Sequence, residues 1–184
     1  MPIGMQSCLE DIEKNEIVLI TVPGVQLPQL EKDFVKYMAK KEYYIIYVNA
    51  NKPYTTMSNI FRGEGISMDK IFFIDLVTNL IGMELKRAGN CVFCPPQALT
   101  NLSITIQSVV ESLPKESNKI LFLDSISTLS LYNESVTVTR FAHALIAKLR
   151  EWEVKGTILT LEQETDEKVI AQITSFADKR VTLK

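Results

Sequence analysis

The chain has 184 residues, 46% of them hydrophobic and 23% charged, enough for a buried core and ordinary for a globular fold. Its 20 Lys and Arg against 22 Asp and Glu leave a net charge of −2, with no basic stripe, which argues against nucleic acid as the main ligand. Apolar runs stop after roughly 6–8 residues where a membrane span needs about 20, the N-terminus lacks the blocks of a signal peptide, and three cysteines favour a reducing cytoplasm over a disulfide framework.

In chain order, Met5 to Lys14 has amphipathic spacing, and Glu16 to Val22 reads as a buried strand broken by Pro23-Gly24. A helix is expected from about Leu27 to Lys41, then a strand over Tyr43 to Asn49 and a short helix near Thr55 to Phe61. A Gly63-Glu64-Gly65 turn leads to a strand over Lys70 to Asp75. The connection Leu76 to Pro96 is the least legible stretch, with a short helix expected around Leu80 to Arg87 and a short strand at Cys91 to Phe93. Helical periodicity returns over Gln97 to Leu113. There follow a strand at Lys119 to Asp124, a helix at Val136 to Trp152, a strand at Thr157 to Leu161, a helix at Asp166 to Phe176 and a closing strand at Arg180 to Leu183. Alternating apolar strands and helices predict a three-layer α-β-α arrangement around a mainly parallel sheet, covered on both faces. No linker or repeat divides residues 1–184, so one domain is expected.

In such a sheet, ligands bind beyond the carboxyl ends of the strands. Those ends carry Gly24, Asn49, Asp75, Asp124-Ser125 and Glu162. Asp124 closes a run of four hydrophobic residues, the pattern of the Mg²⁺-linked carboxylate of P-loop ATPases, although an Asp there can equally cap the following turn. Strand, glycine turn and helix around Gly24 is also the frame of a P-loop, whose signature is G-x-x-x-x-G-K-[ST]. Here the segment runs Gly24-Val25-Gln26-Leu27-Pro28-Gln29-Leu30, with no second glycine, no lysine and no hydroxyl.

The run Ile120 to Leu129 resembles the second nucleotide-site strand of KaiC-like members of the RecA ATPase superfamily, and so does the tail Arg140-Phe141, Gly156 to Glu162 and Ala177 to Leu183. Ile46 to Asn49 and Lys70 to Asp75 fall in the same order, so the resemblance spans nearly the whole chain from Glu16 as a pattern of strands. It implies a RecA-type P-loop NTPase fold. Set against the family's P-loop, Gln26 falls on the second glycine, Leu27 on the lysine and Pro28 on the threonine. Each swap removes an interaction: free backbone approach, a positive charge on the phosphates, a hydroxyl for Mg²⁺. Where the family places acidic bases after its second strand, this chain has Asn49-Ala50-Asn51-Lys52-Pro53, and it stops at Lys184, short of the family's trans-acting hairpin.

The expectation is therefore a non-catalytic, archaeal-type RecA/KaiC-like pseudo-ATPase with a degenerate Walker A segment, serving as an interaction or regulatory module in signalling or scaffolding. It would have no cofactor, no metal and no catalytic residue, and its partner would be another protein or a second copy in a homo-oligomer. The alternative is a small-ligand sensor or weak nucleotide binder built on Gly24, Asn49, Asp124, Ser125 and Glu162. Cys91-x-x-Cys94 has zinc-knuckle or redox spacing, but only Cys8 and His143 could complete a ligand set, so idle buried thiols are expected. His143 lies off the Phe141, Leu145, Leu149 face of its helix and has no nucleophile to serve. The acidic run from Glu162 to Glu167 reads as a solvated loop entering a helix.

Overall fold

Strands that are apolar on both sides need a helical layer over each face of their sheet. The computed structural model, which describes residues 3–81, 87–163 and 165–184, has that three-layer arrangement. Its first half contains α1 (Met5–Lys14), β1 (Ile17–Val22), α2 (Leu27–Lys40), β2 (Tyr44–Asn49), α3 (Tyr54–Gly63), β3 (Ile71–Asp75), β4 (Arg87–Ala88) and β5 (Cys91–Phe93). The second half contains α4 (Leu99–Ser112), β6 (Lys119–Asp124), α5 (Ile126–Leu129), α6 (Ser135–Glu151), β7 (Lys155–Leu161), α7 (Glu167–Phe176) and β8 (Lys179–Thr182).

These strands form one sheet in the order β4-β5-β3-β2-β6-β7-β1-β8. All its pairings are parallel apart from β4 with β5. Side chains alternate between the faces as strand geometry requires. Val18, Ile20, Ile45, Tyr47, Ile120 and Phe122 join the layer of α1, α2 and α3. Ile17, Leu19, Ile46, Val48, Leu121 and Leu123 join the layer of α4 to α7. Under α2 and α3 the packing is aromatic: Tyr47 sits 5.0 Å from Phe122, 5.5 Å from Phe61 and 5.6 Å from Phe73 between ring centres. No helix among the described residues is long and apolar enough to cross a membrane.

Apart from the helix expected around Leu80 to Arg87, the expected elements are present with ends shifted by one or two residues, and α5 and β4 were not anticipated. The four-residue α5 is too short for helical periodicity to show, and β4 has only two residues. The helix expected around Leu80 to Arg87 falls largely on residues 82–86, outside those described; at its flanks stand a 3-10 turn, Thr78–Ile81, and β4. Helix α3 runs into Gly63, and the turn that ends it places Gly65 at φ 72°, where glycine carries no steric penalty.

Candidate functional site

Register places three polar residues side by side where the central strands end. Asn49 of β2 pairs with Asp75 of β3 on one side and with Asp124 of β6 on the other. By alternation from Ile45 and Tyr47, from Ile71 and Phe73, and from Ile120 and Phe122, all three face the α2 layer. Each is at most 1% exposed, so each must find partners inside the protein.

Asp75 is consumed by local structure. Its Oδ1 accepts from the Val77 and Thr78 N–H groups at 2.7 and 2.9 Å, and its Oδ2 from Tyr54 N at 2.7 Å and Thr78 Oγ1 at 2.6 Å. It therefore ties the exit of β3 to the start of α3. Asn49 and Asp124 instead hold residues 50–52. Asn49 Nδ2 donates to the Lys52 carbonyl at 2.6 Å, Ala50 N donates to the Asp124 carbonyl at 2.7 Å, and Asn51 Nδ2 donates to Asp124 Oδ1 at 2.6 Å. On its other side Asn51 Oδ1 accepts from Thr128 Oγ1 at 2.5 Å. Ser125 caps α5, accepting from Thr128 N at 3.2 Å, so the segment after β2 is sewn to the one after β6.

A second carboxyl comes from α2. Glu31 is 2% exposed and accepts from the Tyr47 hydroxyl at 3.1 Å and from Lys52 Nζ at 2.6 Å. Its charge also acts on the Asp124 carboxyl. Burial, and then the Glu31 charge, push the Asp124 carboxyl up to about 8 against the opposing pull of Lys52 and the Asn51 amide. Asp124 Oδ2 is buried without a hydrogen-bond partner, which disfavours the ionised form further. Burial, and then Glu31, likewise raise the Tyr47 phenol well above its usual range. The Tyr47 hydroxyl, the Lys52 ammonium and the Asn51 amide are the donors that compensate the two buried carboxyls.

The turn after β1 is closed on itself. Gly24–Gln26 form a 3-10 turn in which Gln26 N donates to the Pro23 carbonyl at 2.8 Å. Leu27 points into the core of the α2 layer, and Pro28 sits in the first turn of α2, where its missing N–H costs little. A Cβ on Gly24 would meet nothing within 4 Å, so no close approach requires glycine there.

Of the sequence-derived candidates, Asn49, Asp124 and Ser125 are buried together, whereas Gly24 and Glu162 are exposed. Sequence reasoning missed Glu31 and the part played by Asn51 and Lys52. Glu31 is the one charged residue buried among the hydrophobic positions of α2, a signal an amphipathic plot could have flagged. Five concavities of about 200–440 Å³ lie elsewhere, and none of these five is lined by Gly24, Asn49, Asp124, Ser125 or Glu162. Cys91 belongs to the α2 layer and Cys94 to the α4 layer, across the sheet from each other. No group of three or more metal-ligating side chains occurs among the described residues. His143 is exposed and stacks on Phe176 at 4.1 Å between ring centres.

Residues 91–183, just over half of the chain, match the family of unknown function DUF7504, and the chain belongs to that family. No curated protein matches the sequence. Among solved structures, the crystal structure of KaiC-like protein PH0186 from the hyperthermophilic archaeon Pyrococcus horikoshii OT3 aligns with a TM-score of 0.64 at 15% identity, over 91% of this chain and 70% of that one. At that identity the likeness establishes a KaiC-like fold of the RecA type and nothing finer.

Proposed function

We propose that this member of the DUF7504 family is a non-catalytic domain of KaiC-like fold, a pseudo-ATPase that serves as an interaction or regulatory module. The observation that carries the reading is Lys52 Nζ, 2.6 Å from Glu31 Oε2 at the carboxyl ends of the strands. Binding a nucleotide triphosphate needs free backbone N–H groups, a lysine and a metal-binding hydroxyl at the turn after β1. The Gln26 N–H is instead bonded to Pro23, and Leu27 is buried. Pro28 brings neither donor nor hydroxyl. The cationic charge nearby is directed inward, onto Glu31.

Apolar surface supports a protein partner. Val25 is 90% exposed at the tip of the turn after β1, and Leu131 is 77% exposed between α5 and α6. A cytoplasmic protein, or a second copy of the chain, is the ligand this reading implies.

Calorimetric titration with ATP and Mg²⁺, alongside a phosphate-release assay and light scattering, tests the proposal. Neither binding nor phosphate release, together with concentration-dependent assembly, is expected. Micromolar ATP binding that disappears in Asp124→Ala would overturn it.

A further inference from the structure

At the opposite end of the sheet, where β6 and β7 begin, lies a cavity of about 240 Å³. Its walls include Tyr43, Lys115, Lys119, Trp152, Glu153 and Lys155. We infer that this cavity binds a phosphoryl group, either free phosphate or a small phosphomonoester, with Lys115, Lys119 and Lys155 as its cationic contacts. The inference goes beyond the pseudo-ATPase reading and does not rest on it, because Asp124 and its neighbours sit at the other ends of the strands.

Three observations carry it. First, Lys119 is 7% exposed, and a lysine so deeply buried is ordinarily paired with a counter-charge. Its Nζ instead donates to the Lys115 and Ser117 carbonyls at 2.9 and 3.0 Å. Two of its three donors are thereby used, and its charge is left uncompensated. Second, Lys155 is in the same condition: its Nζ donates to the Asn15 carbonyl at 2.9 Å. Glu13, which senses that charge, is bonded to Tyr37 and Lys41. Among the described residues no ion pair includes Lys115, Lys119 or Lys155, nor the Glu116 and Glu153 carboxyls that share the cavity wall. Third, the lysines are not needed to cap the adjoining end of α6. Its Lys148, Leu149 and Arg150 carbonyls already accept from the Trp152, Val154 and Glu153 N–H groups.

Three ammonium groups against two carboxylates leave a positive excess that presents only donors. A phosphoryl group is its complement, with about two negative charges and acceptors on every terminal oxygen. The cavity is smaller than the roughly 300–1,000 Å³ of sites for drug-sized ligands, too small for a nucleoside triphosphate. It leaves room for one ring or a short carbon body against Trp152 and Tyr43.

Trp152 is the only tryptophan of the chain, so its fluorescence reads the cavity directly. The full chain is titrated with inorganic phosphate, phenyl phosphate and benzoate, each against potassium chloride at matched ionic strength. Phosphate or phenyl phosphate should give a saturable change with a midpoint of about 1 mM or below, and benzoate and chloride should give none. A lower midpoint for phenyl phosphate assigns the site to a phosphomonoester; equal midpoints assign it to free phosphate. Lys119→Met and Lys155→Met should each weaken binding by about tenfold, the loss of one charge-assisted hydrogen bond. A response shared equally with benzoate or chloride, one that fails to saturate by about 20 mM, or one unchanged in both variants would overturn the assignment. Should Lys119→Met fail to fold, Lys155→Met and Lys115→Gln, at an exposed position, decide in its place. Because Asp124→Ala leaves this cavity intact, the outcome is separate from the ATP titration of the proposed function.

Discussion

Tyr47 and Glu31 join the sheet to α2 through a hydrogen bond of 3.1 Å between side chains that are both essentially excluded from solvent. Tyr47 thereby links the aromatic packing beneath α2 and α3 to the carboxyl pair above it. The chemistry of that pair has measurable consequences.

Stability should fall as pH rises through the range in which Asp124 keeps its proton only when folded. Its carboxyl moves from 3.8 to about 8 in the folded protein. Between those values the unfolded chain has released a proton that the folded state retains, so each increase in pH favours unfolding. Below about 3.8 both states hold the proton and above about 8 both have lost it, so the dependence flattens at either end. Asp124→Asn mimics the protonated carboxyl and should gain on the order of 5 kcal/mol relative to the wild type between pH 4 and pH 8. Urea midpoints measured for both proteins across this range check it; parallel curves would contradict it.

Restoring the lysine of a phosphate loop should damage the fold without creating a nucleotide site. Leu27 is 7% exposed and belongs to the α2-side core. Leu27→Lys sets an ammonium against that core and should cost about 2–4 kcal/mol. Urea unfolding measures the loss, and calorimetry with ATP and Mg²⁺ should remain silent.

The three thiols should be inert in the native protein. Burial pushes Cys8 and Cys91 up to about 12 and Cys94 up to about 11, so almost no thiolate is available at neutral pH. Thiol reagents should modify none of them until denaturant is added, and all three thereafter. Because Cys91 and Cys94 lie in different core layers, mild oxidation should leave no disulfide between them in the mass spectrum of the native protein.

Close packing at Gly156 should make even one added methyl costly. A Cβ there would lie 2.9 Å from Ile17 Cδ1 and 2.9 Å from Leu149 Cδ1, both at the tips of fully buried side chains. Gly156→Ala should destabilise by about 1–2 kcal/mol. Ile17→Val removes one of the opposing methyls, so Ile17→Val/Gly156→Ala should lose less than the two single changes summed. Guanidinium unfolding of the four proteins measures that coupling.

The strands were legible because a doubly covered parallel sheet writes itself as unbroken apolar runs: Ile120 to Leu123 and Ile17 to Val22 could be little else. The rule that ligands meet such a sheet at its carboxyl ends also located Asn49 and Asp124. What it could not supply was their company. The Glu31 charge reaches Asp124 only because α2 folds back over the sheet, and Lys52 reaches Glu31 only because Asn49, Asn51 and Asp124 hold its backbone. The Lys52–Glu31 and Asn51–Asp124 contacts join residues 21 and 73 positions apart, beyond any local periodicity. Glu162 stays apart from the buried cluster for a related reason: Ser127 caps the end of β7 by accepting from Leu161 N at 2.7 Å, and the chain then turns outward, leaving Glu162 exposed.

The position of β1 also governs how the chain can be made. This first strand lies between β7 and β8, with Ile17 opposite Gly156 and Val18 opposite Lys179. On the ribosome, β1 leaves the exit tunnel long before either neighbour has been synthesised, with its apolar side chains and both backbone edges uncovered. Such long-range pairing is intrinsically slow and exposed to aggregation. Nascent chains arrested before Lys155 should therefore engage chaperones through Ile17 to Val22, and release should come only once β7 and β8 have emerged.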